Sequence, residues 1–177
     1  MSRIFGPVYQ NGYVVSDLDQ AVDYWVNKLG IGPFFRIPVA FDRYVHRGVA
    51  SSPDLEVALA NSGDLQIELI VQRNDAPSAY VEFLAQHGPG LQHLSGWTEM
   101  FDEDVARFAA LGAQVVTDAA ITGAGRVVFY DTDIPGATGG QMEMLERTPL
   151  AKFVMETVRD AAIGWDGRDP VRYFADS

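Results

Sequence analysis

The sequence predicts an α+β fold assembled from two copies of one module, a strand and a helix followed by further strands, and three observations carry that prediction. The run Gln66-Ile67-Glu68-Leu69-Ile70 returns seventy-five positions later as Gln141-Met142-Glu143-Met144-Leu145. The order of strand-like and helix-like segments repeats along the chain. At an offset of eighty-three, Gln10 falls opposite His93, Asp19 opposite Asp102 and Trp25 opposite Phe108. Internal repetition usually means stacked modules with a continuous surface, and two copies alone point to a pair rather than an array.

The elements follow in order. Residues 8–15 read as a strand, and Ser16-Asp17 opens a helix with apolar positions Leu18, Ala21, Val22, Trp25 and Leu29. Gly30 and Gly32-Pro33 close it. Strands are expected at 34–41, 44–50, 55–61 and 65–72, with Ser51-Ser52-Pro53-Asp54 and Asn61-Ser62-Gly63-Asp64 as turns. A connecting helix at 77–87 ends at Gly88-Pro89-Gly90. A strand at 91–98, a helix at 102–111 ended by Gly112, and strands at 114–119, 126–131 and 140–146 complete the second copy. Residues 148–177 extend past it, with Leu150, Phe153, Val154, Thr157 and Val158 as a helix-like stripe and a tail from Pro170 to Phe174. Packing of this extension against its own module is expected ahead of covering the cleft or a partner subunit.

Composition narrows the function classes. A net charge of −11 and a pI near 4.5 disfavour nucleic acid and anionic membrane as partners, both of which select basic surface. The absence of cysteine excludes disulfides, thiolate metal sites and cysteine nucleophiles. The opening residues lack a signal peptide's apolar core, and no run approaches the roughly 20 apolar residues of a membrane span. A cytoplasmic protein is the expectation.

The repeated glutamates carry the functional argument. Strand side chains alternate faces, so Gln66, Glu68 and Ile70 share one face, while Leu91, His93, Ser95 and Trp97 share one face of another strand. A mid-strand glutamate is costly to bury unpaired, and two at matched positions imply a cation between them. An ion pair with Arg36, Arg43, Arg47 or Arg126 would give the same pattern. Gln10 alone reads as an ordinary hydrogen-bonding residue, and His93 alone as a satisfied core histidine. His46 is either a cleft residue or a solvent-facing one, and His87 a helix-end residue favoured by the helix dipole. The Thr122-Gly123-Ala124-Gly125 segment lacks the lysine and following helix of a phosphate loop and reads as a hairpin turn.

Together, Ser16-Asp17-Leu18-Asp19-Gln20-Ala21 after the opening strand, Gly90-Leu91-Gln92-His93-Leu94, and Gln141-Met142-Glu143-Met144-Leu145-Glu146 resemble the vicinal oxygen chelate superfamily. That group contains glyoxalase I, methylmalonyl-CoA epimerase, extradiol dioxygenases and bleomycin-resistance proteins. The resemblance covers roughly residues 6–147. It implies two βαβββ modules whose curved sheets form a cleft, module one at about 6–73, a linker helix at about 77–88 and module two at about 90–147. The paired domain is thus placed at 1–147 and the helical extension at 148–177. The resemblance maps metal ligands onto Gln10, Glu68, His93 and Glu143, in an order that looks like glyoxalase I. It also implies a homodimer.

One imidazole, two carboxylates and an amide oxygen suit a divalent cation, with zinc, nickel, cobalt, manganese, iron and magnesium all open. The expected chemistry is that of an isomerase, epimerase or lyase acting on a small hydrophobic carbonyl compound through a metal-stabilised enolate, with Glu143 as base and Glu68 second. Aromatic side chains such as Trp97 on the cleft side supply the hydrophobic wall. Two alternatives stand beside this: a non-catalytic small-molecule binding protein, and an extradiol-type dioxygenase, which normally needs two histidines where Gln10 supplies an amide. Neither glutathione nor coenzyme A has a signature in the chain.

Overall fold

The computed structural model describes residues 6–132 and 140–174. Strand β1 (Gln10–Val14) runs into α1 (Leu18–Leu29) through Asp17, whose carboxylate accepts from the Gln20 amide and satisfies a free N–H of the first turn. Gly30, at φ 67°, takes the left-handed turn that ends the helix. Next come β2 (Phe34–Val39), β3 (Phe41–His46), the short β4 (Val49–Ala50), β5 (Leu55–Ser62) and β6 (Leu65–Gln72). Helix α2 (Ala79–His87), capped by Ser78, leads to β7 (Gly90–Thr98), α3 (Phe101–Ala110), β8 (Val115–Ile121), β9 (Gly125–Asp131) and β10 (Gln141–Glu146). Helix α4 (Pro149–Ala162) and β11 (Val171–Tyr173) end the described chain.

The described strands form one mixed sheet in the order β11-β2-β5-β6-β1-β7-β10-β9-β8-β3-β4. Each half keeps the expected βαβββ pattern, with β1, β2, β5 and β6 in the first and β7 to β10 in the second. The additional strand of the first half behaves differently. β3 leaves its own module and pairs antiparallel with β8 of the other. Because β2 and β3 lie towards opposite ends of the order yet are joined by Ala40 alone, the sheet must curl until those ends approach. The Thr122 amide donates to the Ala40 carbonyl at 2.9 Å across that closure.

Alternation then sorts the side chains into three cores. On the outer face, α1 buries Leu18 and Val22 against Phe34, Ile67 and Leu69, and α3 buries Phe101 and Phe108 against Val128, Tyr130 and Met144. The concave face gathers Val14, Leu59, Ile70, Phe129 and Leu145, with Tyr80 and Phe83 of α2 and Val158 of α4 set over them. Each such side chain contributes roughly 1.5–3 kcal/mol on burial. The C-terminal extension thus covers the concave face, which corrects the expectation for it. Its buried stripe is Ala151, Val154, Met155, Val158 and Ala161, while Leu150 and Phe153 are exposed. The 170–174 tail becomes β11, a parallel edge strand on β2.

Candidate metal centre

Strand register places the duplicated residues. β1 and β7 pair antiparallel with Gln10 opposite Ser95 and Gly12 opposite His93. Gly12 is also level with Glu68 on β6, and Ser95 with Glu143 on β10. Gln10 and His93, Gly12 and Ser95, and Glu68 and Glu143 are therefore equivalent pairs about a local two-fold axis between the central strands. One carboxylate arrives from each side of that axis onto the concave face.

The side chains converge. One ligand atom each from Glu68, His93 and Glu143 lies within 4.8 Å of the others. His93 Nε2 sits 2.8 Å from a Glu143 oxygen and 3.3 Å from a Glu68 oxygen. Those oxygens attract the ring but lie off its hydrogen-bonding direction, so Nε2 is a buried polar atom without a hydrogen-bond partner among the described residues. His93 is 1 % exposed and Glu143 7 %. The arginine alternative fails on the geometry. Arg36 binds Asp19 and Glu56, Arg43 binds Asp118, Arg47 binds Glu82 and Asp131, and Arg126 binds Asp102 and Glu146.

Burial and charge act in opposition on these groups. Burial alone would lower the His93 pKa, but the negative charges of Glu143 and Glu68 reverse this and push it up to about 9. Burial raises the Glu68 carboxyl above its usual range, with the imidazole opposing and Glu143 adding to the rise. Without a metal, the raised His93 pKa leaves the ring charged beside the two carboxyl groups at neutral pH, in the place a bound cation would take over.

A family model for the Glyoxalase/Bleomycin resistance protein/Dioxygenase superfamily matches residues 9–130, more than half of the chain. The chain belongs to that superfamily. Among solved structures, methylmalonyl-CoA epimerase from Mycobacterium tuberculosis is similar at 20% identity and TM-score 0.59, over 86% of this chain and 95% of that one. A hypothetical protein from Bacillus halodurans C-125 is similar at 16% identity and TM-score 0.59, over 80% and 94%. A methylmalonyl-CoA epimerase variant from Streptomyces coelicolor, in complex with 2-nitronate-propionyl-CoA, is similar at 20% identity and TM-score 0.54, over 81% and 95%. At these identities the likeness concerns the fold. No curated protein matches the chain.

Within this superfamily fold, the donor set suits a divalent cation. A doubly charged ion would cancel the two carboxylates and give the orphaned Nε2 an electron-pair acceptor. Gln10 is buried on the same face, and its Nε2 donates to Gln66 Oε1 at 2.8 Å. Gln66 Nε2 in turn reaches Asn61 Oδ1 at 3.4 Å, and Asn61 Nδ2 donates to the Gly63 carbonyl at 3.1 Å. That carbonyl only accepts, so the direction of the whole ladder is fixed. Its consequence is that Gln10 keeps its carbonyl oxygen, the atom a metal would use, outside the ladder.

Several residues of this centre are missing from the sequence reading. Gln92 occupies a β-bulge, since the register with β1 steps from His93 directly to Leu91. The bulge brings Gln92 to the His93 face, where its Oε1 lies 2.7 Å from His93 Nδ1, and it moves Leu91 out to solvent, 43 % exposed. Gly12 is needed because the His93 ring lies flat on it: a Cβ there would fall 2.0 Å from the ring's Cε1. A glycine inside a strand was the available signal. Phe129 meets the ring edge-on, and Tyr80 of α2 meets Phe129 likewise. Burial, with the Glu143 and Glu68 carboxyls nearby, pushes the Tyr80 phenol pKa well up and keeps it protonated.

The remaining histidines are settled by their contacts. His46 neither lines the cleft nor faces solvent: it is 5 % exposed, held by Thr117 Oγ1 at 2.7 Å and Glu82 Oε2 at 2.9 Å. His87 lies in the last turn of α2 against Phe83. The 122–125 segment is the β8–β9 turn. A cavity of about 430 Å³ opens beside the centre rather than on it, between Tyr9, Gln66 and Trp97 and the Met155, Glu156 and Arg159 side of α4. The described residues contain no helix long and apolar enough to cross a membrane.

Proposed function

We propose that this protein is a metal-dependent isomerase, epimerase or lyase that moves a proton on a small, hydrophobic carbonyl compound. The observation that carries the reading is the convergence of Glu68, His93 and Glu143 around a buried Nε2 without a hydrogen-bond partner among the described residues. Glu68, His93 and Glu143 would hold the metal, with the Gln10 carbonyl oxygen as fourth ligand. When bound, such a cation supplies Lewis-acid polarisation of the substrate's oxygens and stabilises negative charge developing there.

The chain's own residues supply the rest. Glu143 takes the proton from the carbon next to the carbonyl, acting as general base. Glu68 comes from the other module and so stands across the local axis, where it is the second candidate for the base, and the proton returns to the substrate from the protonated Glu143 carboxyl or from solvent. Phe129 and the α2 and α4 side chains over the concave face keep water away from the exchanging proton. The stacked Tyr9–Trp97 pair lines the adjoining cavity and suits an apolar or aromatic substrate body. Arg36, Arg43, Arg47 and Arg126 are all held by acidic partners, which removes them as handles for a substrate anion.

The fold's likeness to methylmalonyl-CoA epimerases supports adding acyl thioesters to the hydrophobic ketones as compounds to test. Elemental analysis of protein purified without added metal should find one divalent ion per chain. Incubation of the loaded protein with each compound in deuterium oxide should then place solvent deuterium next to the carbonyl. Turnover with every substrate hydrogen retained would refute proton transfer, and tight binding of a compound by metal-free protein with no exchange would make it a binding protein.

A further inference from the structure

We infer that Asp131 is a positioning residue for His93, acting through Gln141 and Gln92, and that Arg47 anchors this relay to helix α2. His93 Nδ1 lies 2.7 Å from Gln92 Oε1, Gln92 Nε2 donates to Gln141 Oε1 at 2.7 Å, and Gln141 Nε2 donates to Asp131 Oδ1 at 2.8 Å. Amide groups could run in either direction along such a line, but its far end decides. The Asp131 carboxylate only accepts, so Gln141 must turn its NH2 towards it and its oxygen towards Gln92. Gln92 then turns its own oxygen to the ring, and Nδ1 must carry a proton. The relay thus holds the ring by one nitrogen and leaves Nε2 as the atom facing Glu68 and Glu143.

Arg47 fixes the outer end. Its NH2 group donates to Asp131 at 3.0 Å, and its guanidinium grips both oxygens of Glu82 on α2 at 2.7 and 2.8 Å. Glu82 also receives His46, whose other nitrogen meets Thr117. Arg47 and Gly48 form the β3–β4 turn with φ of 48° and 79°. Both central residues of such a turn need positive φ, a conformation where asparagine or glycine is usual and arginine is strained. An arginine kept there, gripping two acids on two different elements, marks the position as more than a loop. One unbroken line of polar contacts therefore joins α2, which lies over the concave face, to the proposed ligand His93.

The consequence for metal binding rests on the proposed function, but the relay itself is testable without metal. In metal-free protein, the Nδ1 proton of His93 should give a downfield, slowly exchanging NMR signal. Asp131→Ala, at a partly exposed position where the fold should survive, is expected to move that signal upfield and speed its exchange, and Asp131→Glu, which keeps the accept-only carboxylate, to restore it at least in part. Calorimetric titration with zinc should show affinity falling about 10- to 100-fold in Asp131→Ala and recovering at least in part in Asp131→Glu. An Nδ1 signal unchanged in Asp131→Ala, or zinc affinity of Asp131→Ala equal to that of a zinc-binding wild type, would overturn the relay. Absence of zinc binding in the wild type would instead sink the metal reading, and the ring-proton comparison would still decide the relay.

Discussion

The two halves of the cleft carry the same ladder with different endings. In module one it runs Gln10, Gln66, Asn61, and in module two His93, Gln92, Gln141, Asp131. Asn61 pairs with Gln66 across β5 and β6 as Asp131 pairs with Gln141 across β9 and β10. Both ladders point their donors outward and so spare an acceptor atom at the inner end. The first half ends in a neutral amide and keeps a regular strand. The second ends in a carboxylate, inserts one bulged glutamine and presents an imidazole. A duplicated frame thus acquires unlike donors from one bulge and two changes of residue type, while the matched Glu68 and Glu143 keep the charge balanced across the axis.

The sharpest way to break this comparison is to exchange the matched carboxylates. Glu143→Gln should lower proton exchange by about 10²- to 10⁴-fold, with zinc binding reduced far less, whereas Glu68→Gln should slow it less. Isotope-exchange rates and zinc titrations measure both, and equal losses would show that the halves act alike. A second contrast sets Gly12 against its equivalent Ser95. Gly12→Ala forces a methyl into the His93 ring and should cost about 1–3 kcal/mol in a urea titration. Ser95→Ala removes a buried hydroxyl that has no partner among the described residues, so it should shift stability by less than about 1 kcal/mol.

A third prediction sharpens the outer end of the second ladder. The Arg47 guanidinium holds the Glu82 carboxyl down at about 2, against a smaller opposing effect of burial and with further help from His46. A depressed folded-state pKa gives stability that is fully present above the ordinary glutamate range and is lost as pH falls through about 2. The wild type should therefore lose on the order of 2 kcal/mol over that acid interval, and Glu82→Gln should show a flatter profile in pH-dependent denaturation. The smallest effect concerns the join between the halves. Arg43 of β3 and Asp118 of β8 form a half-exposed pair, and Asp118→Asn should change stability by no more than about 0.5 kcal/mol.

Much of this arrangement is legible from residues alone, for a reason that differs by element. The α1 boundaries follow from Asp17 and Gly30, whose capping chemistry is local. Glu68 and Glu143 stand out because alternation in a strand is local too. Gln92 escaped because a bulge cancels alternation where it occurs, and the same shift put Leu91 on the wrong face. The α4 stripe differs from the apolar pattern because Leu150 and Phe153 are as apolar as Val158, and only the curvature of the sheet selects which of them meets it. His46 lacked any partner nearby in sequence, since Glu82 and Thr117 reach it from distant elements.

By itself, the sequence determined the duplicated α+β frame, the matched glutamates and the histidine set against Gln10, because strand period, helix caps and repeat spacing are written in short stretches of chain. Tertiary structure alone decided that β3 joins the other module, that the sheet curls at Ala40, and that α2 and α4 lie over the concave face. Those outcomes depend on which edge and which apolar surface win among partners dozens of residues apart. The direction of the second amide ladder belongs with them, since it is set only when the Asp131 carboxylate of β9 closes its far end.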